Sequence, residues 1–248
     1  MIRVLEDLGS AFQFLTRLPM PSLQPREASL SRAAKFFPVV GLVIGLGAAG
    51  LHWVLNGLLS RPLIALCVLV YLVLVTGAIH EDGLADAADG FGGGWTKDKV
   101  LSIMRDSRIG VFGTIALTLS LLARYTLLSE IPAGRFSRYL IVAHVLCRWT
   151  ALPLGVFLAP ARKEEGLGAQ VAQRISVVSL IFGSAVSLAV CYWLLRNHMW
   201  LPVATTAIVA ILTAAYYRSQ IGGVTGDCFG ATNQLTEIAV YLCGVLAR

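Results

Sequence analysis

The chain has 248 residues, of which 56% are hydrophobic and only 14% charged, and its mean hydropathy is +0.74. Soluble domains carry about 25% charged residues, so this composition excludes a water-exposed globule and indicates an integral membrane protein. The formal net charge is +6, but the basic residues form no stripe with interleaved aromatic residues, so no nucleic-acid partner is expected. Attraction to an anionic membrane surface accounts for the charge.

The N-terminal segment MIRVLEDLGSAFQFLTRLP predicts a helix that lies in the membrane interface. It has acids where a signal peptide needs a basic and then an apolar run, and no small-residue cleavage site follows. Apolar residues recur in it at helical spacing, at Val4, Leu5, Leu8, Phe12 and Leu15.

Membrane-crossing segments follow along the chain, each close to the roughly 20 apolar residues that one crossing needs. The candidates are 38–59, 62–79, 109–128, 138–159, 176–195 and 200–217. A seventh, 234–247, is shorter and contains Glu237. The prediction is an all-α integral membrane bundle of about six to seven transmembrane helices, forming one domain over residues 1–248.

Basic residues are distributed unequally between the two sides of these segments. One side has Arg61, Arg135, Arg138, Arg196 and Arg248. The other side has Arg3, Arg17, Arg26, Arg32, Lys35, Lys97, Lys99, Arg105, Arg108, Arg162, Lys163, Arg174 and Arg218. The richer side is predicted to face the cytoplasm, and it also carries every acid except Glu130 and Glu237.

An acidic run, HEDGLADAADGFGGGW, follows the second segment directly. At about 100° per residue, a helix places Asp82, Asp86 and Asp89 on one face, with Glu81 pointing about 100° away. Three converging carboxylates repel one another unless a cation joins them. Hard oxygen ligands without a matching histidine or thiolate favour Mg2+, or Mn2+, over Zn2+. The alternative is a solvated helix end.

Two features that suit phosphate binding come next. The run Gly92, Gly93, Gly94 would let backbone N–H groups approach an anion closely, although a flexible loop explains it equally well. In IMRDSRIG, Arg105 and Arg108 could hold phosphate oxygens, or could anchor the next span at the cytoplasmic surface.

Two later stretches on the same side share this polar, glycine-rich character. RKEEGLG offers Lys163 and Glu164 as substrate-binding candidates. GGVTGDCFGATNQLTE places Asp227 among glycines, with Thr225 beside it as a further substrate-binding candidate. That Asp is a candidate metal ligand or general base, or simply a turn residue. His80 could shuttle a proton or bind a phosphate, and a polar anchor at a helix end is the alternative.

The blocks FLTRLP, FPVVGLVIG, HEDGLADAADGFGGG, IMRDSRIG, RKEEGLG and GGVTGDCFGA resemble, in this order, those of the adenosylcobinamide-GDP ribazoletransferase (cobalamin synthase) family. The resemblance covers essentially the whole chain. It implies a multi-pass enzyme of the bacterial inner membrane. Such an enzyme joins adenosylcobinamide-GDP to α-ribazole or its 5′-phosphate, releases GMP and requires Mg2+. Glu81 stands where the family often has a hydrophobic residue.

In that reaction the three aspartates of the acidic run would hold Mg2+ on the diphosphate. The two arginines of IMRDSRIG would neutralise phosphoryl oxygens or the GMP leaving group. Asp106 or Asp227 would orient or deprotonate the attacking hydroxyl.

Three other functions stay open from the sequence. Asp86-Ala-Ala-Asp89-Gly90 resembles the start of the CDP-alcohol phosphotransferase motif, but the rest of that motif does not follow. A prenyltransferase also uses Asp-rich Mg2+ motifs, and a cation-coupled transporter would place its acids at mid-membrane depth. The sequence does not decide whether the chain forms a homo-oligomer.

Overall fold

The computed structural model describes residues 2–19, 29–162 and 175–247, and within them the chain is helical, with no strand beyond two isolated bridges. The α-helices in these ranges are α1 (Ile2–Leu15), α2 (Ser29–Ala33), α3 (Phe37–Leu55), α4 (Arg61–Thr76), α5 (Ile79–Gly93), α6 (Lys97–Ile103), α7 (Val111–Glu130), α8 (Ala133–Trp149), α9 (Ala151–Phe157), α10 (Val177–Leu195), α11 (Trp200–Ile221) and α12 (Gly226–Leu246). The predicted all-α class is confirmed.

Four helical stretches in the described part of the chain are long and apolar enough to cross a membrane: Leu30–Leu55, Val111–Glu130, Ala133–Phe157 and Val177–Ile221. A fifth is added if the bent pair α4 and α5 forms one crossing. Val177–Ile221 contains two helices joined by a 3-10 turn, and each has about the length that one crossing needs. The number of six to seven crossings stays a prediction.

The outward-facing surface of these stretches is apolar. Large exposed side chains include Leu46, Trp53, Leu119, Ile181, Trp193 and Ile211. Soluble monomers rarely expose apolar patches on this scale. The surface therefore agrees with the length and hydropathy of the helices, and the fold is that of a membrane protein.

Helix α1 packs against the bundle along part of its apolar face. Phe12 and Leu15 are buried, whereas Val4 is half exposed. The buried carboxylate of Asp7 accepts a hydrogen bond from Lys35 at 2.8 Å, which ties α1 to the turn before α3. The end of α1 is thereby held beside the first turn of α5, where the candidate site lies.

The junction between α4 and α5 turns the chain by 86°. Gly77 closes α4 in the left-handed region at φ +64°, and Ala78 follows at φ +57°. Glycine adopts such angles without strain. Ala78 does not, so the surrounding structure must hold the backbone in this bend. If α4 crosses the membrane, α5 runs along the membrane surface, outside the spanning segments.

A buried charge network joins α5, α7 and α12. Arg124 on α7 has no solvent exposure, and its Nη1 donates to Glu81 Oε1 at 2.7 Å and to Gln234 Oε1. Its Nε lies 3.5 Å from Glu237 Oε1. Glu81 therefore points away from the aspartates of α5, as its helical position predicted.

Candidate active site

Helices α5 and α12 cross with their backbones in direct contact, and this crossing builds the site. A Cβ atom on Gly83 would lie 3.1 Å from the carbonyl oxygen of Asp227, and one on Gly230 would lie 3.1 Å from the Cα of Gly83. These distances are shorter than most Cβ contacts, so glycine on both helices favours this close approach. The first turns of α5 and α12 therefore lie side by side, and their acids face one another.

The acids of the two helices form one electrostatic cluster. Burial, with the charges of Asp82, Asp227 and Asp89, raises the pKa of the Asp86 carboxyl to about 7. Burial also raises the pKa of Asp227, against the opposing effect of the nearby Arg162. Carboxylates held this close repel one another when ionised, and a bound cation would relieve that repulsion. Asp227, isolated in the sequence, thus joins Asp82 and Asp86.

The spacing of these carboxylates suits a metal that keeps part of its water shell. Among the described residues, no three of Asp82, Asp86, Asp89 and Asp227 bring one oxygen each within 4.8 Å of one another. Mg2+ is usually held by one or two carboxylates, with waters and substrate phosphates completing its octahedron. The half-exposed oxygen ligands on α5 and α12 fit that kind of site.

Asp89 has a different task from the one its helical spacing suggests. Its Oδ2 accepts a hydrogen bond from the backbone N–H of Gly110 at 2.6 Å, and its Oδ1 accepts one from Gly113 at 2.8 Å. Asp89 is buried, and both of its oxygens hold the N-terminus of α7. The structure thereby corrects the predicted metal face: Asp89 acts as a helix cap.

Replacing Asp89 with Ala should lower the free energy of unfolding by about 1–3 kcal/mol, since it leaves the buried N–H groups of α7 unsatisfied. Thermal unfolding in detergent would measure the loss. Glu130→Ala, which removes an exposed acid at the other end of α7, is the matched control and should have almost no effect. Equal unfolding temperatures for the two variants would contradict the capping role.

His80 and Thr225 both lie beside the acids. His80 is buried and lines the same cavity as Asp82 and Asp227. The Thr225 hydroxyl accepts a 3.4 Å hydrogen bond from the N–H of Cys228 and lies 3.2 Å from Asp227 Oδ2. Thr225 therefore caps α12 and orients Asp227, whereas the sequence had suggested a substrate contact.

A basic cavity of about 570 Å3 lies between α6 and the segment after α9. Three basic residues, Lys97, Arg105 and Arg162, line it together with the acids Asp98 and Asp106. Arg162 Nη2 donates to the carbonyl oxygen of Leu101 at 2.7 Å, and its charge acts on both Asp86 and Asp227. The cavity thus places cations next to the acids, as a phosphate site beside a metal requires.

Asp106 and Arg108 form a salt bridge with each other. Arg108 Nη2 donates to Asp106 Oδ2 at 2.6 Å, and these hydrogen bonds lower the pKa of Asp106 to about 2. A carboxylate whose pKa is this low is a weak proton acceptor. Of the two predicted general bases, the structure therefore favours Asp227. Arg108 itself is largely exposed.

The glycine run corrects another expectation. Gly92 and Gly93 belong to the last turn of α5, and the N–H of Gly94 donates to the carbonyl oxygen of Gly90 at 2.9 Å. Helical N–H groups are already paired, so these glycines form no phosphate cradle. Gly94 instead lets α6 approach, because a Cβ there would lie 2.6 Å from Val100.

Within the described part of the chain, one other cluster has metal-ligand chemistry, and it is formed by His144, Cys147 and Glu237, all buried. His144 Nδ1 lies 3.0 Å from Arg148 Nη1, and His144 Nε2 lies 3.1 Å from the Tyr241 hydroxyl. A guanidinium in this position repels a metal cation. The cluster is therefore a hydrogen-bonded part of the core.

Comparison with known proteins now decides the family. The sequence profile of the cobalamin-5-phosphate synthase family matches residues 7–246. The chain belongs to that family. An adenosylcobinamide-GDP ribazoletransferase of Shewanella frigidimarina is 39% identical over 247 residues, covering 97% of this chain and 94% of its own. Proteins of the same name from Mesorhizobium japonicum and a Thermoanaerobacter species are 40% and 31% identical, covering 99% and 97% of this chain and 95% and 97% of their own. No solved structure matches significantly.

In this chain of the cobalamin-5-phosphate synthase family, several polar residues line the cavities although they were not among the predicted site residues. Lys163 and Glu164 lie outside the described residues. Arg162 immediately precedes them, and its place at the start of RKEEGLG was the available signal. Arg148 and Asn233 lie inside apolar helices, and only the tertiary structure brings them to the cavity of Asp82 and Asp227.

Proposed function

We propose that this chain joins adenosylcobinamide-GDP to α-ribazole or its 5′-phosphate and releases GMP, as the name of its relatives describes. The observation that supports this most is the α5–α12 acid cluster with two cavities near it. One cavity is lined by the basic residues Arg105 and Arg162. The other is mostly apolar, and Asp82 and Asp227 line it. Two substrates that meet at a diphosphate need such an arrangement.

Asp82, Asp86 and Asp227 would hold Mg2+, with Mn2+ as a substitute. The bound ion would neutralise the charge of the diphosphate. Its ligands come from two helices that touch at Gly83 and Gly230, so the position of the metal depends on that crossing. Asp89 supports the site indirectly, by fixing α7 against α5.

The basic residues beside the acids would position the donor. Arg105, Arg162 and Lys97 line a single cavity, where they can pair with phosphoryl oxygens and stabilise the charge on the departing GMP. Little covalent chemistry is left to the protein in phosphoryl transfer, because positioning and charge neutralisation supply most of the rate.

Asp227 would hold the metal through one carboxylate oxygen, and its other oxygen would accept the proton of the attacking hydroxyl. The hydroxyl oxygen of ribazole forms a bond to the cobinamide-linked phosphorus, the bond from that phosphorus to the oxygen of GMP breaks, and the proton passes to Asp227. Asp106 is held by Arg108, whereas Asp227 lines the cavity, so Asp227 is the better placed proton acceptor. His80 lines the same cavity and is the alternative acceptor.

Purified protein in detergent, supplied with both substrates and Mg2+, should release GMP and form the corrinoid product in equal amounts. Omitting either substrate, or adding EDTA, should abolish both products. Cation flux across the membrane of proteoliposomes that contain the protein, without GMP release, would favour the transporter alternative. The family match favours neither a CDP-alcohol phosphotransferase nor a prenyltransferase.

The bacterial inner membrane, with the site facing the cytoplasm, is the proposed location, supported by the excess of basic residues on the side of α6. A single cysteine introduced at the exposed Ser107, in a background without native cysteines, should react with an impermeant maleimide only in inverted vesicles. Labelling of intact spheroplasts would contradict this orientation. Association into a homo-oligomer is also part of the proposal, and crosslinking in membranes would test it.

A further inference from the structure

A cavity of about 630 Å3 lies where the end of α1, the first turn of α5, α8 and the first half of α12 meet. Its volume falls within the roughly 300–1,000 Å3 typical of small-molecule sites. Asp82 and Asp227 line it, so a molecule bound there would reach the acids, and it shares no lining residue with the basic cavity of Arg105.

Two buried polar side chains line this cavity without complete pairing. Arg148 is 3% exposed, and among the described residues its Nε has no hydrogen-bond partner and no carboxylate forms an ion pair with its guanidinium. Asn233 is 4% exposed, and its Oδ1 also has no partner there. A buried cation without a counter-charge is costly. An anionic ligand would remove that cost.

The first turn of α5 also favours an anionic ligand in this cavity. No side chain caps this helix, and Gly77, Ala78 and His80 of the bend and the first turn line the cavity. Unpaired N–H groups at a helix N-terminus attract phosphate. Arg17 lines the cavity as well, and its backbone N–H donates to the carbonyl oxygen of Val75 at 2.8 Å, which fixes it beside the bend.

Three aromatic side chains also line the cavity. Phe14 and Phe37 stack with ring centroids 5.8 Å apart, and both line the cavity together with Phe229. Aromatic walls suit a flat, apolar ring. The cavity wall therefore offers groups that suit an anion and groups that suit an aromatic ring.

We propose that this cavity is the subsite of the acceptor, an aromatic nucleoside that carries a phosphate. Arg17, Arg148 and the N-terminus of α5 bind the phosphate, and the three phenylalanines hold the ring. The inference rests on the proposed function, and it adds that these groups distinguish a phosphorylated acceptor from an unphosphorylated one.

The donor fits this cavity less well than the acceptor does. A corrinoid is too large for it, and the diphosphate belongs with the acids and the basic cavity of Lys97, Arg105 and Arg162. The guanine ring of the donor needs several hydrogen-bond partners when buried, whereas the benzimidazole ring of α-ribazole is largely apolar. The phosphate corner is thus a second anion site, separate from the one that the metal serves.

Arg17→Gln tests the proposal, because Arg17 is exposed and its loss should leave the fold intact. Calorimetry with the purified full-length protein would measure binding of α-ribazole 5′-phosphate, α-ribazole and adenosylcobinamide-GDP separately. The dissociation constant for the phosphate ester should rise at least about tenfold, and those for the other two by less than about threefold. Arg148→Lys, which keeps the charge but loses the planar fork, should show the same selectivity. Arg138→Gln, an exposed arginine of α8 outside the cavity, is the control.

Equal weakening of both acceptors, weakening of the donor instead, or no change would overturn the subsite. If wild-type protein binds the phosphate ester through Arg17 but releases no GMP, the proposed function fails and the subsite stands. If it releases GMP and Arg17→Gln leaves the affinity for the phosphate ester unchanged, the function stands and the subsite fails.

Discussion

Asp82→Asn, Asp86→Asn and Asp227→Asn should each lower the rate of GMP release by about 100-fold or more in a folded protein. The amide keeps the shape of the side chain but removes the charge that the metal needs, and the loss of one preorganised electrostatic group typically costs that much. The measurement is GMP formed from adenosylcobinamide-GDP and α-ribazole at saturating Mg2+, with unfolding temperature recorded for each variant.

Glu130→Gln is the matched control, because it neutralises an acid at the exposed C-terminal end of α7. It should retain full activity. The result for Asp227 is the most informative of the set, since no local sequence pattern connects it to Asp82. Near-normal turnover in any of the three aspartate variants would remove that residue from the site.

Arg124→Met should destabilise the protein by about 3–5 kcal/mol, the largest effect on stability expected for a single change here. Arg124 is fully buried between Glu81 and Glu237. Removing the cation leaves two carboxylates without a counter-charge in the core that joins α5, α7 and α12. Unfolding temperature and yield in detergent would measure the loss.

Two further variants separate charge from packing in this network. Adding Glu81→Gln and Glu237→Gln to Arg124→Met should recover much of the stability, because no uncompensated charge then stays buried. Arg138→Met, at an exposed arginine of α8, should cost little. A triple variant as unstable as Arg124→Met alone would show that packing, and not charge, dominates.

Local periodicity predicted the parts of the site that depend on one helix. The angle between residues on α5 correctly separated Glu81 from Asp82 and Asp86, because a helix fixes that angle whatever surrounds it. The same angle gave the wrong role for Asp89. Which neighbour approaches a helical face is a tertiary property, and α7 brings its N-terminus to that carboxylate.

The remaining parts of the site depend on contacts between segments far apart in the chain. Asp227 meets Asp86 because Gly83 and Gly230 let two helices cross at backbone distance. Small residues hint at such a crossing but do not name the partner helix. The cavity of Arg148 likewise needs the 86° bend after α4, where Ala78 takes a left-handed conformation that sequence patterns do not predict.

Binding of Mn2+ to the purified protein in the presence of adenosylcobinamide-GDP tests the central claim most directly, because it asks whether acids from two helices share one metal site. Paramagnetic resonance of free Mn2+ would give the affinity. Asp82→Asn on α5 and Asp227→Asn on α12 should each weaken binding at least about tenfold, with Glu130→Gln unchanged. Wild-type affinity in both aspartate variants would contradict a shared metal site between α5 and α12.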